Sequence, residues 1–255
     1  MKQLSLLLLM IIGVWRCSSS IDTTDFGPEE QLNHAISLYE DEDYEDALAE
    51  FQSLLLQYPG SIIVDDAQYY LGMTRYQRSE YIVAAYEFSK LIRNMPASEF
   101  VPKAQYMLAD SYYQLSPNFN LDQVYTKKAI VELQAFIDFF PLNEKVSEAE
   151  NKINELNEKL ARKEYNIAVI YRKLEYYSAT IKYLNNVIET YHDTPYAAMA
   201  SYRKILLLME REREDEAFAE MKKFLQLYPD DENYEEVEEM KNALDAQLKG
   251  NLSIN

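Results

Sequence analysis

A repeat governs what this chain can fold into. The pattern Tyr44-x-x-Ala47-x-x-x-Phe51-x-x-x-Leu55-x-x-Tyr58-Pro59 returns 37 residues later as Tyr81, Ala84, Phe88, Ile92, Met95 and Pro96. A third copy gives Ala129, Leu133, Ile137, Phe140 and Pro141, set back by a longer connection around Ser116-Pro117-Asn118-Phe119-Asn120. The fourth copy gives Tyr177, Thr180, Leu184, Ile188, Tyr191 and His192, and the fifth Ala217, Met221, Leu225, Tyr228 and Pro229. Spacings of four put the Ala, Phe and Leu positions on one helical stripe, and the proline ends the helix because it lacks an N–H and crowds the preceding turn. Upstream of each stripe a second amphipathic segment carries a small residue, at Gly72, Ala109 and Ala168, that lets two helices approach closely.

The chain therefore reads as all-α, a succession of helical hairpins, and the small, Ala, Phe and Pro positions resemble the tetratricopeptide pattern. The expected architecture is a right-handed superhelical solenoid of about five hairpins. Repeats are expected over about 29–59, 65–96, 102–141, 146–192 and 195–229, with a polar capping helix over 232–248. Segment 146–173 holds no proline or glycine and is expected to be one long helix. Ala197 to Met209 fits the repeat register poorly. No hairpin in such an array buries its apolar stripe alone, so stability comes from stacking of neighbours.

The N-terminus reads as an address. Lys2 precedes an apolar stretch from Leu4 to Val14, shorter than the ~20 residues of a spanning helix. Residues 1–16 are the expected signal peptide. Cys17, the only cysteine, is the expected lipidation site, and 17–28 a flexible tether. Acyl chains on Cys17 would hold the protein at a membrane. Arg16 stands where a lipobox carries a small residue, and a secreted chain with an incidental cysteine is the other reading of this end.

Composition removes whole classes of function. A formal net charge of −18 repels phosphate backbones, so no nucleic-acid partner is expected. The five glycines form no phosphate-cradling loop. His34 and His192 stand alone and no second cysteine exists, so no metal site, cofactor or catalytic dyad is expected and the chain reads as a non-enzyme.

Tyrosine is abundant instead, at 22 residues. Counting the small residue of each first helix as position eight, position twelve holds Tyr39, Tyr76, Tyr113 and Arg172, and position five holds Leu32, Tyr69, Tyr106 and Tyr165. In tetratricopeptide arrays these positions line the inner face. Tyr39, Tyr69, Tyr76, Tyr106 and Tyr113 are the expected walls of a groove for extended peptides carrying aromatic side chains. Packing between neighbouring helices is the alternative for each ring. Arg162, Lys163, Arg172 and Lys173 gather on one helix, and Tyr165, Arg162, Arg172 and Lys173 are the expected contacts to an acidic partner. Pairing of the cations with Glu158, Glu164 and Glu175 along the same helix is the alternative.

The signal with its cysteine, the five repeats with Tyr58-Pro59-Gly60-Ser61, and the block from Leu160 to Ala168 followed by Tyr176-Tyr177-Ser178-Ala179-Thr180 resemble the BamD family. These are tetratricopeptide lipoproteins of the bacterial outer-membrane β-barrel assembly machinery. The resemblance implies a periplasm-facing scaffold, lipid-anchored in the outer membrane, that binds a BamA-type barrel protein through its C-terminal repeats and unfolded barrel clients through its N-terminal ones. Two rivals remain at this level: a tetratricopeptide lipoprotein that organises the cell wall or division machinery, and a glycan-binding uptake lipoprotein.

Overall fold

The computed structural model describes residues 26–252, which form eleven α-helices and no strand. Five hairpins follow one another: α1 (Pro28–Glu40) with α2 (Tyr44–Gln57), α3 (Val64–Gln77) with α4 (Tyr81–Asn94), α5 (Val101–Gln114) with α6 (Val124–Phe139), α7 (Val146–Lys173) with α8 (Tyr177–Thr190), and α9 (Pro195–Glu210) with α10 (Glu214–Leu227). The last helix, α11 (Tyr234–Leu252), covers the end of the stack and buries Val237 and Leu244. The protein is a helical solenoid of tetratricopeptide-like hairpins. No helix among the described residues is long and apolar enough to cross a membrane.

Each second helix buries a side chain almost completely at three equivalent positions: Ala47, Phe51 and Leu54; Ala84, Phe88 and Leu91; Ala129, Leu133 and Phe136; Thr180, Leu184 and Val187; Ala217, Met221 and Phe224. The third member is one residue earlier than the sequence pattern suggests, because Leu55, Ile92, Ile137, Ile188 and Leu225 are only partly buried. Helical geometry explains the correction: at 3.6 residues per turn, a step of seven returns close to the starting direction and a step of eight overshoots it.

The second helices end alike. Their C-caps, Tyr58, Met95, Phe140, Tyr191 and Tyr228, have φ between −121 and −133° and donate their N–H to the carbonyl four residues back. Four of these residues precede proline, which disfavours a helical residue before it. Tyr191 adopts the same conformation ahead of His192, so the fourth hairpin keeps the turn without the proline.

Within four hairpins the two helices are joined through one left-handed residue, Glu42, Ser79, Glu175 or Glu212, at φ 64, 60, 61 and 55°. The third hairpin is joined by the longer connection over 115–123. Close approach inside the second hairpin depends on Gly72, where an added Cβ would lie 2.6 Å from Cε1 of Phe88. A polar clasp recurs in the first three hairpins: Gln31, Gln68 and Gln105 donate from Nε2 to Glu50, Glu87 and Glu132 at 2.8, 2.8 and 2.9 Å.

The long α7 serves two hairpins. Its first half packs Ala149 and Leu156 into the core built by Leu133 and Phe136, while its second half packs Ala161, Tyr165 and Ala168 against Leu184 and Val187 of α8. A run free of helix breakers, with apolar residues at 149, 153, 156 and 160, makes this continuity possible.

Candidate functional site

The first helices α1, α3, α5, α7 and α9 form a seam, and the tyrosines singled out from the sequence bridge it. Tyr39 packs against Tyr44 and Tyr70, at 5.9 and 5.6 Å between ring centroids, and its hydroxyl accepts from Nε2 of Gln77 at 3.5 Å. Tyr69 stacks on Phe100 at 4.7 Å, and burial pushes its phenol up to about 12. Tyr76 donates its hydroxyl to Asp110. Tyr113 donates to Oε2 of Glu155 at 2.6 Å, a bond that with burial raises its phenol to about 12. The hydroxyls of Tyr39, Tyr76 and Tyr113 thus reach toward the following hairpin.

The densest part of the seam joins α3, α5 and α7. Lys152 places Nζ 2.5 Å from Oδ1 of Asp110, 2.7 Å from the Tyr106 hydroxyl and 3.1 Å from Oε1 of Glu148. The Tyr106 hydroxyl in turn donates to Oε1 of Glu148 at 2.5 Å. Burial, then this bond to Glu148, push Tyr106 up to about 12. Hydrogen bonds from Lys145, Tyr106 and Lys152 hold Glu148 down at about 2. Burial opposes the charge on Lys152, but its bonds to Asp110 and Tyr106 outweigh that, and its net shift is upward.

Two assignments change as a result. Tyr106 and Tyr165 are only 8% and 6% exposed, so their rings belong to the core rather than to an open face. The reason is that Tyr106 turns edge-on to Phe136, 5.3 Å away, and Tyr165 accepts from Nε of Arg203 on α9. Tyr39, Tyr69, Tyr76 and Tyr113 remain half-buried, each with part of its ring on the surface formed by the first helices.

Nor do the four cations of α7 form one patch. Arg162 stacks over Phe119 at 4.2 Å and Lys163 donates to the Leu121 carbonyl at 2.5 Å, so both are engaged with the long connection. Arg172, ten residues or about 15 Å further along the helix, pairs with Glu210 of α9 and lies over the ring of Tyr177 at 5.3 Å. Lys173 is exposed. Pairing with Glu158, Glu164 or Glu175 is not what Arg162, Lys163 and Arg172 do; their partners lie on other elements. Cys17, the signal segment 1–16 and nearly all of the tether lie outside the described residues.

Sequence reasoning missed the acceptors Asp110, Glu148 and Glu155 and the donor Lys152. A signal existed: Tyr106 and Tyr113 each lie 42 residues before their carboxylate partner. It also missed Tyr202, which donates to Oε2 of Glu236 at 2.8 Å. Ile205, fully buried, stands where earlier hairpins carry Ala or Gly, which disguises the register of α9. His34 lies edge-on to Phe26 at 6.0 Å, and Nδ1 of His192 lies 2.7 Å from Oδ1 of Asp193. Among the described residues no group of His, Cys, Asp and Glu is arranged to hold a metal ion.

Residues 25–215 match the model of the family described as YfiO, outer membrane lipoprotein. The chain belongs to the YfiO family. No curated protein matches it. Among solved structures, the YfiO-family fold is similar to a tetratricopeptide protein of Thermus thermophilus, with 18% identity, a TM-score of 0.37, and coverage of 86% of this chain and 98% of that one. It is similar to the TPR2AB domain of yeast Sti1 in complex with pHSP90, at 14% identity and TM-score 0.44, covering 89% of this chain and 86% of that one. A tetratricopeptide protein from Parabacteroides merdae gives 14% identity and TM-score 0.38, covering 89% and 79%. Membership of the YfiO family brings outer-membrane association with it.

Proposed function

We propose that this protein is a non-enzymatic scaffold of the outer-membrane β-barrel assembly machinery. The observation that carries the reading is the match of residues 25–215 to the YfiO outer membrane lipoprotein family. On this reading Cys17 carries the lipid that holds the solenoid on the periplasmic face of the outer membrane, with 1–16 removed as the signal and 17–28 acting as the tether. The C-terminal repeats, around Arg172 and Lys173, dock a BamA-type barrel protein. The N-terminal repeats receive unfolded barrel clients.

The half-exposed rings of Tyr39, Tyr69, Tyr76 and Tyr113 support the client role, because a flat ring with a polar tip offers contact area at small entropic cost. The hydroxyls of Tyr39, Tyr76 and Tyr113 are engaged across the seam, so a client would meet ring faces and edges there. Docking and presentation are the whole mechanism, with no bond made or broken. Affinity capture of the native protein from outer membranes, read by mass spectrometry, tests this reading. Recovery of a BamA-type barrel protein as a stoichiometric partner is expected; recovery of only cell-wall, division or glycan-uptake proteins would overturn it.

A further inference from the structure

The junction of α7, α8 and α9 contains a cavity of about 220 Å³ whose construction is unlike the rest of the seam. Part of its wall is apolar, made by Ala168 and Val169 of α7, Leu184 of α8, and Leu206 and Leu207 of α9, with Thr180 of α8 beside them. Two guanidinium groups, Arg172 and Arg203, and one carboxylate, Glu210, also line it. In a chain of net charge −18, a cavity with two cations and one anion is a local reversal of sign.

Both guanidinium groups are held in place. Arg203 is bonded through Nε to the buried Tyr165 hydroxyl and lies 5.4 Å from that ring's centroid. Arg172 lies over the ring of Tyr177, which Arg211 also covers at 4.4 Å. A guanidinium fixed by a ring keeps its remaining N–H groups directed, which favours recognition of a planar carboxylate. Arg172 already recognises one, because Glu210 pairs with it. That pair is 38% and 48% exposed, and an ion pair so open to water contributes little to stability. Glu210 is therefore a weakly held internal occupant of a carboxylate position beside an apolar cavity.

We infer that this cavity is a docking site for a partner polypeptide loop that presents an acidic side chain next to an apolar one, the apolar group filling the cavity and the carboxylate displacing Glu210 from Arg172. The inference deepens the docking role proposed for Arg172, and it does not depend on which protein supplies the loop. An internal competitor lowers apparent affinity by the fraction of time it occupies the site. Removing the competitor therefore strengthens binding, an effect that a merely structural ion pair would not produce.

The probe is a fluorescent peptide, acetylated and amidated at its ends, with adjacent phenylalanine and aspartate in an alanine-serine background. Binding to the full-length protein is followed by fluorescence anisotropy, with far-UV circular dichroism reporting the fold of every variant. Expected results are binding by the unaltered protein, weakening by about tenfold when the peptide aspartate becomes asparagine or when Arg172→Gln is introduced, and tightening by about threefold in Glu210→Gln. Arg172→Lys, which keeps the charge without the fork, should fall between. Absence of binding by the unaltered protein, equal affinity for the asparagine peptide, or an unchanged affinity in folded Glu210→Gln would each overturn the inference. None of those failures bears on which proteins are captured from the outer membrane, so the two readings fail separately.

Discussion

Replacing Lys152 with Met removes the ammonium that holds Asp110 on α5 while keeping a side chain of similar length to fill its path. Asp110 is 7% exposed and Lys152 17%, so both charges sit largely out of water. Without Lys152 the Asp110 carboxylate keeps the Tyr76 hydroxyl as its remaining bond in this network. Breaking a buried pair by removing one partner costs about 3–5 kcal/mol, because the other charge is left without compensation. The partial exposure of Lys152 places the expected loss at the lower end, about 3 kcal/mol. Asp110→Asn in the same chain removes that stranded charge, so the double variant should recover about 2 kcal/mol of it. Repeat arrays lose structure piecewise, which makes a single global transition a poor measure. Hydrogen exchange read by mass spectrometry suits the question: peptides from 101–114 and 146–160 should lose protection in Lys152→Met and regain it in the double variant, while peptides from 28–57 stay constant. If the two substitutions simply add, to within about 0.5 kcal/mol, Asp110 and Lys152 are not coupled and the account of the seam is wrong.

The Tyr106–Glu148 tie predicts a pH dependence with a definite sign. Glu148 has its folded value lowered from 4.5 to about 2, so its contribution is complete above about 4.5 and is lost as pH falls toward 2. Tyr106, raised from 10 to about 12, contributes fully below 10 and loses its contribution as pH rises through 12. Protection of α5 and α7 amides should fall at both limits, and Glu148→Gln should flatten the acid limb. Gly72→Ala places a methyl 2.6 Å from Phe88 and should destabilise the second hairpin by about 1–3 kcal/mol in urea unfolding, despite a gain of up to ~1 kcal/mol in helix propensity. Glu42→Gly, at φ 64°, should stabilise by about 0.5–1 kcal/mol by relieving a left-handed conformation; a loss of stability would show that its backbone is not strained. Leu156→Ala should cost about 2–5 kcal/mol and loosen α5 and α6 as well as α7 in hydrogen exchange, since Leu156 is fully buried in their shared core.

The hairpins were legible because their signals are short-range. Ala47 to Pro59 and its copies state a helix, its buried stripe and its stop within a few turns, and the structure moves only the third stripe position by one residue. The site was less legible because its determinants cross between hairpins. Tyr113 is visible as a helical tyrosine, but its acceptor Glu155 lies beyond the long connection and α6, at a 42-residue offset shared with Tyr106 and Glu148 that differs from the 37-residue repeat. Likewise the cations of α7 read as a patch because they are close in sequence, whereas a helix turns them toward different neighbours: Arg162 toward Phe119 and Arg172 toward Glu210. Periodicity reports which face of a helix a residue occupies, and it is silent about what another element brings to that face.

The 28 residues of α7, at about 1.5 Å per residue, make a rod about 42 Å long that is rooted in two successive cores. The backbone still turns between the third and fourth hairpins at 140–145, but the helix that follows that turn packs its side chains into the cores on both sides of it. A displacement of the fourth hairpin along that rod is therefore felt by Leu133 and Phe136 of the third through direct packing, which couples the two units mechanically.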